Sequence, residues 1–296
     1  MVRLALTILL LTVTSPSLLR AQQNPPQITT VPVAGPIFML QGGGGNIGVI
    51  TDPAGLFIID SMDERSADPV RAALKALPGG QRIRILIDTH WHSDHTDGNK
   101  VFGPEAVIVS QQNVRSLLAK SQNMGEQQTR PLPPGALPIV TFSDKLMLYA
   151  GDEPVRLVHY ANAHTDGDTV VFMDRSKVVH MGDMFFNGLF PYLDVANGGD
   201  IDNWVRQLDA ILSVLPEGVK IIPGHGPVAG ISDLKAFRQM LYDSAETVRK
   251  QMKEGKTLEQ IKAAGLPERF APWTGGFLTT PQWLELVYRS LEKKQP

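Results

Sequence analysis

Thr89-His90-Trp91-His92-Ser93-Asp94-His95 places four potential metal ligands within six positions, directly after the apolar run Ile83-Arg84-Ile85-Leu86-Ile87. The run is short, β-branched and preceded by the turn residues Gly79-Gly80, so it reads as a buried strand. The ligands then stand where a central strand ends and the chain emerges at the sheet rim, a usual place for chemistry on an α/β scaffold. His90 and His92 are two apart and point the same way on an extended chain. Asp94 and His95 follow as the chain bends and aim at a second point nearby. Imidazole and carboxylate are zinc ligands, and two such points suggest two metals. A polar loop that happens to be rich in histidine is the competing reading. Three of the chain's seven histidines packed beside an aspartate speak against it.

The spacing H-x-H-x-D-H resembles the signature of the metallo-β-lactamase superfamily, and four further motif positions, one before it and three after, stand in the order that signature asks for. Asp60 closes the apolar run Leu56-Phe57-Ile58-Ile59, and His164 stands in Ala163-His164-Thr165-Asp166-Gly167-Asp168. Asp183 stands in Met181-Gly182-Asp183, and His225 in Pro223-Gly224-His225-Gly226. The resemblance implies an α/β fold, the four-layer αββα sandwich, carrying two zinc ions per chain. It gives the first zinc to His90, His92 and His164, the second to Asp94, His95 and His225, and makes Asp183 the bridge. It further implies a hydroxide between the ions that attacks a substrate carbonyl, with Asp94 as proton carrier. Asp60 is expected to hydrogen-bond the metal loop rather than a metal. An acid at the bridge matches hydrolases such as glyoxalase II and the acyl-homoserine lactonases. It does not match the β-lactamases that carry a cysteine there and an arginine where His95 stands.

The chain is 296 residues long with 43% apolar residues, enough for a large core. A net charge of −2 gives no electrostatic footprint for nucleic acid or an anionic membrane. Residues 1–21 read as a secretory signal: Arg3, the apolar run Leu4 to Val13, then small and polar residues to Ala21. The run is too short to anchor stably in a bilayer, and the absence of cysteine excludes lipid attachment and disulfides. A periplasmic or secreted bacterial protein is the expectation. Residues 22–36 are expected to be a flexible, proline-dotted segment and 37–230 the catalytic domain. Residues 231–296 are expected to form a helical extension packed on that domain, as a packing element before anything else. Within the domain, Asp68-Pro69 looks like a cap and first turn of a helix ending at Gly79-Gly80. Residues 121–138, with four prolines, read as a long surface loop.

The stretch Met184-Phe185-Phe186-Asn187-Gly188-Leu189-Phe190-Pro191-Tyr192 offers aromatics for an apolar pocket wall, although Phe185 and Phe186 fit a core equally well. Asn187 or Tyr192 could donate to a carbonyl oxygen. His159 and His180 sit in strand patterns and read as structural, Trp91 as packing, and Asp166 and Asp168 as ordering the His164 loop. Neither the substrate-holding lysine of many β-lactamases nor the tyrosine of lactonases is found shortly after Asp183. The expected function is an exported dinuclear zinc hydrolase of a small carbonyl compound, with β-lactam ring opening the first activity to test. A lactonase, esterase or thioesterase is the alternative within the fold. A non-haem iron sulfur dioxygenase or a non-catalytic metal-binding accessory protein is the alternative outside it. Nothing in the sequence sets the oligomeric state.

Overall fold

The computed structural model describes residues 26–124 and 127–293. The expected signal segment, residues 1–21, lies outside the described residues. Seven strands build a first sheet: β1 (Thr29–Ala34), β2 (Ile37–Gln41), β3 (Ile47–Ile50), β4 (Leu56–Ile59), β5 (Ile83–Asp88), β6 (Val107–Gln111) and β9 (Val140–Phe142), in that order across the sheet. The second sheet runs β10 (Lys145–Ala150), β11 (Glu153–His159), β12 (Thr169–Met173), β13 (Val178–His180), β14 (Lys220–Ile222). A two-residue ladder, β7 (Asn123–Met124) with β8 (Gln127–Gln128), stands apart.

Alternation along the strands decides the layers. In β4, Phe57 and Ile59 face the second sheet and join a core with Val155, Leu157, Val171 and Met173. Their neighbours Leu56 and Ile58 face outward, where Val70 and Leu74 of helix α1 (Ala67–Lys75) cover them. On the far side, Val170 and Phe172 of β12 pack against Trp204 and Leu208 of α5 (Ile201–Val214) and Phe237 of α6 (Ile231–Lys253). The result is helix, sheet, sheet, helix: an αββα sandwich with three apolar seams. Each fully buried Leu, Ile, Val or Phe contributes on the order of 1.5–3 kcal/mol. After α6 come α7 (Leu258–Ala264) and α8 (Thr280–Glu292), so the expected helical extension is present. Among the described residues, no helix is long and apolar enough to cross a membrane.

Three expectations need correction. Residues 29–34 of the supposed flexible segment form the edge strand β1, antiparallel to β2. Val33 is buried and Val31 packs beside it, and Pro32 is tolerated because an edge strand leaves one side of its backbone unpaired. The helix after β4 is capped by Asp63 rather than Asp68: its carboxylate accepts from Ser66 N–H at 2.9 Å. That opens a 3-10 turn, Glu64–Ser66, which runs straight into α1 and places Pro69 in its first turn, where a missing N–H costs nothing. Finally, the supposed surface loop 121–138 carries the β7–β8 ladder and a 3-10 turn, Pro134–Ala136, and buries Leu132 and Ala136.

Candidate metal centre

Every motif position lies at one rim of the sandwich. β5 ends at Asp88, and the chain bends through Thr89, His90 and Trp91 instead of running on extended as the spacing suggested; His92 then opens the one-turn helix α2 (Ser93–Thr96) that carries Asp94 and His95. Thr96 Oγ1 closes the turn by donating to the His92 carbonyl at 3.0 Å. Asp60 leaves β4 with a φ of 66°, an uncommon conformation for a residue with a Cβ. The second sheet supplies His164 after β11, Asp183 after β13 and His225 after β14. The loop Gly42-Gly43-Gly44-Gly45-Asn46 between β2 and β3 is pinned to the last of these, since Asn46 N–H donates to the Gly224 carbonyl at 2.7 Å. A Cβ on Gly224 would overlap Asp183 Oδ1, so only glycine fits there without moving that carboxylate.

The structure brings all seven expected ligands together in two groups, His90, His92, His164 and Asp183, and Asp94, His95 and His225. In the first, His92 Nδ1 lies 3.1 Å from His90 Nε2 and 3.0 Å from His164 Nε2. Asp183 Oδ2 is 3.6 Å from His90 Nε2 and 3.4 Å from His164 Nε2. In the second, Asp94 Oδ2 is 3.2 Å from His225 Nε2, and Asp183 Oδ1 is 3.1 Å from His95 Nε2 and 3.4 Å from His225 Nε2. The two oxygens of one carboxylate thus face the two groups. An ion bound tetrahedrally at about 2.0–2.1 Å spaces its ligands about 3.3 Å apart, which these separations match.

Hydrogen bonds fix the tautomers. Thr89 Oγ1 donates to Asp60 Oδ2 at 2.8 Å and so accepts from His90 Nδ1 at 3.0 Å. His95 Nδ1 donates to the same Asp60 oxygen at 2.8 Å, and His164 Nδ1 to the Tyr192 carbonyl at 2.8 Å. His92 donates from Nε2 to Asp194 Oδ2 at 3.1 Å. Four of the five imidazoles are therefore held through one nitrogen from outside the cluster, which leaves the other to face it, as metal ligation requires. Asp60 thus holds His95 directly and His90 through Thr89.

The charges fit cations too. Asp60, Asp94, Asp183 and Asp194 have no lysine or arginine partner among the described residues. Asp183 Oδ1 is buried and accepts no hydrogen bond. Burial favours a neutral Asp183, yet the imidazoles of His95, His225 and His90 hold its carboxyl well below the usual range. Burial pushes His95 down as well, and the carboxylates of Asp183, Asp94 and Asp60 reverse this, leaving it well above the usual imidazole range. The same balance lifts His225 to about 9, whereas burial takes His164 down to about 4. A buried set of acids opposed by imidazoles alone is a site suited to divalent metal.

The remaining expected residues divide. Asn187 does not face the cluster: its amide donates to the Pro227 carbonyl at 3.0 Å and ties down the loop after His225. Tyr192 does stand beside the cluster, its ring 5.6 Å from that of His92. Phe185 and Phe186 are fully buried core rather than pocket wall, with Phe186 stacked 5.0 Å from His225. His180 bonds the Asn46 carbonyl and accepts from the Gly182 N–H beside Asp183, and His159 bonds the Asp168 carbonyl, so neither belongs to a ligand group. Asp168 orders the His164 loop by accepting from the N–H groups of His164 and Thr165 at 2.8 Å each, and burial pushes its own carboxyl up to about 8. Asp166 instead accepts from Asn113 Nδ2 at 2.9 Å.

Asp194 went unread in the sequence. Its carboxylate holds His92 and also Trp91 Nε1 at 3.1 Å, and it caps the 3-10 turn Val195–Asn197. The pattern Asp194-Val195-Ala196-Asn197 advertises only the cap. Phe277 was missed as well. It lies in the C-terminal extension, its ring 5.8 Å from His225 and 6.0 Å from Phe186, with 55% of the residue exposed.

A sequence model of the metallo-beta-lactamase superfamily matches residues 40–225. The alpha subunit of the 2,4-dinitroanisole O-demethylase of Nocardioides sp. (strain JS1661) is 22% identical over 202 residues, 68% of this chain. The chain spans 58% of that relative's length. Among solved structures, a metallo-beta-lactamase from Pontibacter korlensis is similar at a TM-score of 0.59 and 17% identity, over 73% of this chain and 99% of the other. A stereoselective inverting sec-alkylsulfatase from Pseudomonas sp. is similar at 0.68 and 15% identity, over 88% of this chain and 50% of the other. Both likenesses concern the fold.

Proposed function

The chain belongs to the metallo-beta-lactamase superfamily, and from that premise we propose that it is an exported dinuclear zinc hydrolase of a small carbonyl compound. The observation that carries the proposal is Asp183, whose two oxygens each face a separate histidine group while one of them accepts no hydrogen bond. A mononuclear iron dioxygenase has no use for the second group, Asp94, His95 and His225. Zinc bound there would supply Lewis acidity and water activated for attack near neutral pH.

The chain's own residues supply the rest. Asp183 sets the spacing of the groups, and Asp60 and Asp194 hold the imidazoles in one tautomer. Asp94 is 39% exposed, whereas Asp183 is buried, so Asp94 is placed to carry a proton between the centre and a leaving group. Phe186 and Phe277 screen one side of His225 from water. Export rests on the pattern Arg3 to Ala21. β-Lactams remain the first substrates to try, with lactones, esters and thioesters next. The relatives named for a sulfate ester and a methyl ether widen that search to other activated C–O compounds.

Purified protein is expected to carry close to two zinc ions by elemental analysis and to open a chromogenic cephalosporin or an activated ester. His225→Ala and Asp183→Ala are expected to lower turnover at least a hundredfold. Iron in place of zinc, a single tightly held ion, or full activity in Asp183→Ala would overturn the reading.

A further inference from the structure

Tyr192 has a second role in the surface. Beyond its ring, which lies 5.6 Å from His92 and 6.4 Å from His164, opens a cleft of ≈ 800 Å³. One wall is the segment from Tyr192 to Ala196, and the other is Leu278 with Leu286 and Arg289 of α8. Leu193 is fully buried, and Val195, Leu278 and Leu286 are half-buried against the main core, so the apolar part of the lining is fixed in place. Leu278 follows Phe277 in sequence, so one short piece of the C-terminal extension reaches both His225 and the cleft.

Three of the four charged groups in the lining are already engaged. Arg289 pairs with Glu285 at 2.6 Å, Glu285 also holds Lys262 at 3.0 Å, and Lys293 donates to the Val195 carbonyl at 3.3 Å. With Glu292, the lining carries two acids and two bases, which cancel. A volume of this size, mostly apolar in its fixed surfaces and sharing Tyr192 with the surroundings of the metal centre, fits the body of a small organic ligand. It offers nothing to hold a charged one.

We propose that this cleft takes the extended, uncharged apolar group of an ester-type substrate whose scissile bond lies at the metal centre. The C-terminal extension is then part of the substrate-binding surface as well as a packing element. The proposal rests on the hydrolase reading given above, and its test separates the two.

Zinc-loaded protein is assayed with 4-nitrophenyl esters from acetate to octanoate. Each methylene buried in the cleft is expected to raise kcat/KM up to about fourfold, the equivalent of ~0.8 kcal/mol. An octanoate-length ester ending in a carboxylate is expected to be the poorer substrate. Leu286→Gln and Leu278→Gln, on separate elements, are each expected to reduce the octanoate-to-acetate ratio at least tenfold. Calorimetric titration with octanophenone against acetophenone reads the cleft without hydrolysis, and the longer ketone is expected to bind more tightly in the parent than in either variant. Metal-dependent turnover that is flat with chain length, together with equal binding of the two ketones, would overturn the cleft and leave the hydrolase standing. Chain-length-dependent ketone binding with no metal-dependent turnover of any ester would do the reverse. Preference for the carboxylated ester would overturn the uncharged class.

Discussion

At the scale of single residues, the groups that could touch metal were legible, and of those that hold them Asp60 was and Asp194 was not. Ligation needs imidazoles and carboxylates at set spacings, and His90, His92, Asp94 and His95 advertise that within one short stretch. Asp194 carries no such mark, because an aspartate before Val195-Ala196-Asn197 satisfies the sequence as a turn cap. Its bond to His92 Nε2 spans 102 positions and exists only in the fold. Among the described residues, Asp194 is the one carboxylate that bonds His92, so Asp194→Asn removes the charge that raises the basicity of that imidazole. The affinity of the first site for zinc is expected to fall about 10–100-fold, read by competition with a chromogenic chelator. Circular dichroism is expected to stay unchanged, since the amide can still cap the turn. Unchanged zinc affinity would mean that Asp194 serves Trp91 and the cap alone.

At the scale of elements, the helices and most strands followed from apolar spacing, but the places where they dock did not. β1 was hidden by Pro32, and β9 was hidden because Val140 and Phe142 sit on a short edge strand with little pattern of its own. The least legible joint is that between α5 and α8. The first N–H of α5, that of Ile201, donates to Ser290 Oγ of α8 at 3.0 Å across 89 positions. Asp200 accepts from the Asn203 N–H at 2.8 Å, so the two residues share the capping of α5. Nearby, Trp283 Nε1 donates to Ser244 Oγ at 3.0 Å and joins α8 to α6. Ser290→Ala leaves a buried N–H without a partner, a loss on the order of 1–3 kcal/mol. Urea unfolding is expected to show a lower midpoint with an unchanged slope, and zinc content is expected to be unaffected. A midpoint equal to the parent's would show that apolar packing alone docks the extension.

At the scale of the whole molecule, the two halves are joined by a dry seam and by the metal centre. The seam was legible as alternation: Phe57 and Ile59 inward, Leu56 and Ile58 outward. The centre was legible as five motif elements in order, because a fold that draws ligands from several strand ends must repeat a strand followed by an acid or a histidine. What the sequence could not supply is how the centre divides between the sheets. His90, His92, Asp94 and His95 leave the first sheet, and His164, Asp183 and His225 leave the second, so each ligand group contains residues from both. An ion in either group therefore ties sheet to sheet across the rim, and Asp183 ties the groups to each other. Ions that bind the folded chain and not the unfolded one stabilise it by mass action, about 4 kcal/mol at a thousandfold excess over Kd. Stripping zinc with a chelator is therefore expected to lower Tm by on the order of 10 °C. Because the ions span both sheets, the loss is expected as a shift of one cooperative transition by scanning calorimetry. Restoring zinc, but not magnesium, is expected to return it, since histidine-rich ligand sets favour zinc over oxygen-seeking cations. Two separated transitions on chelation would show that the sheets hold independently and that the metals are local to one of them.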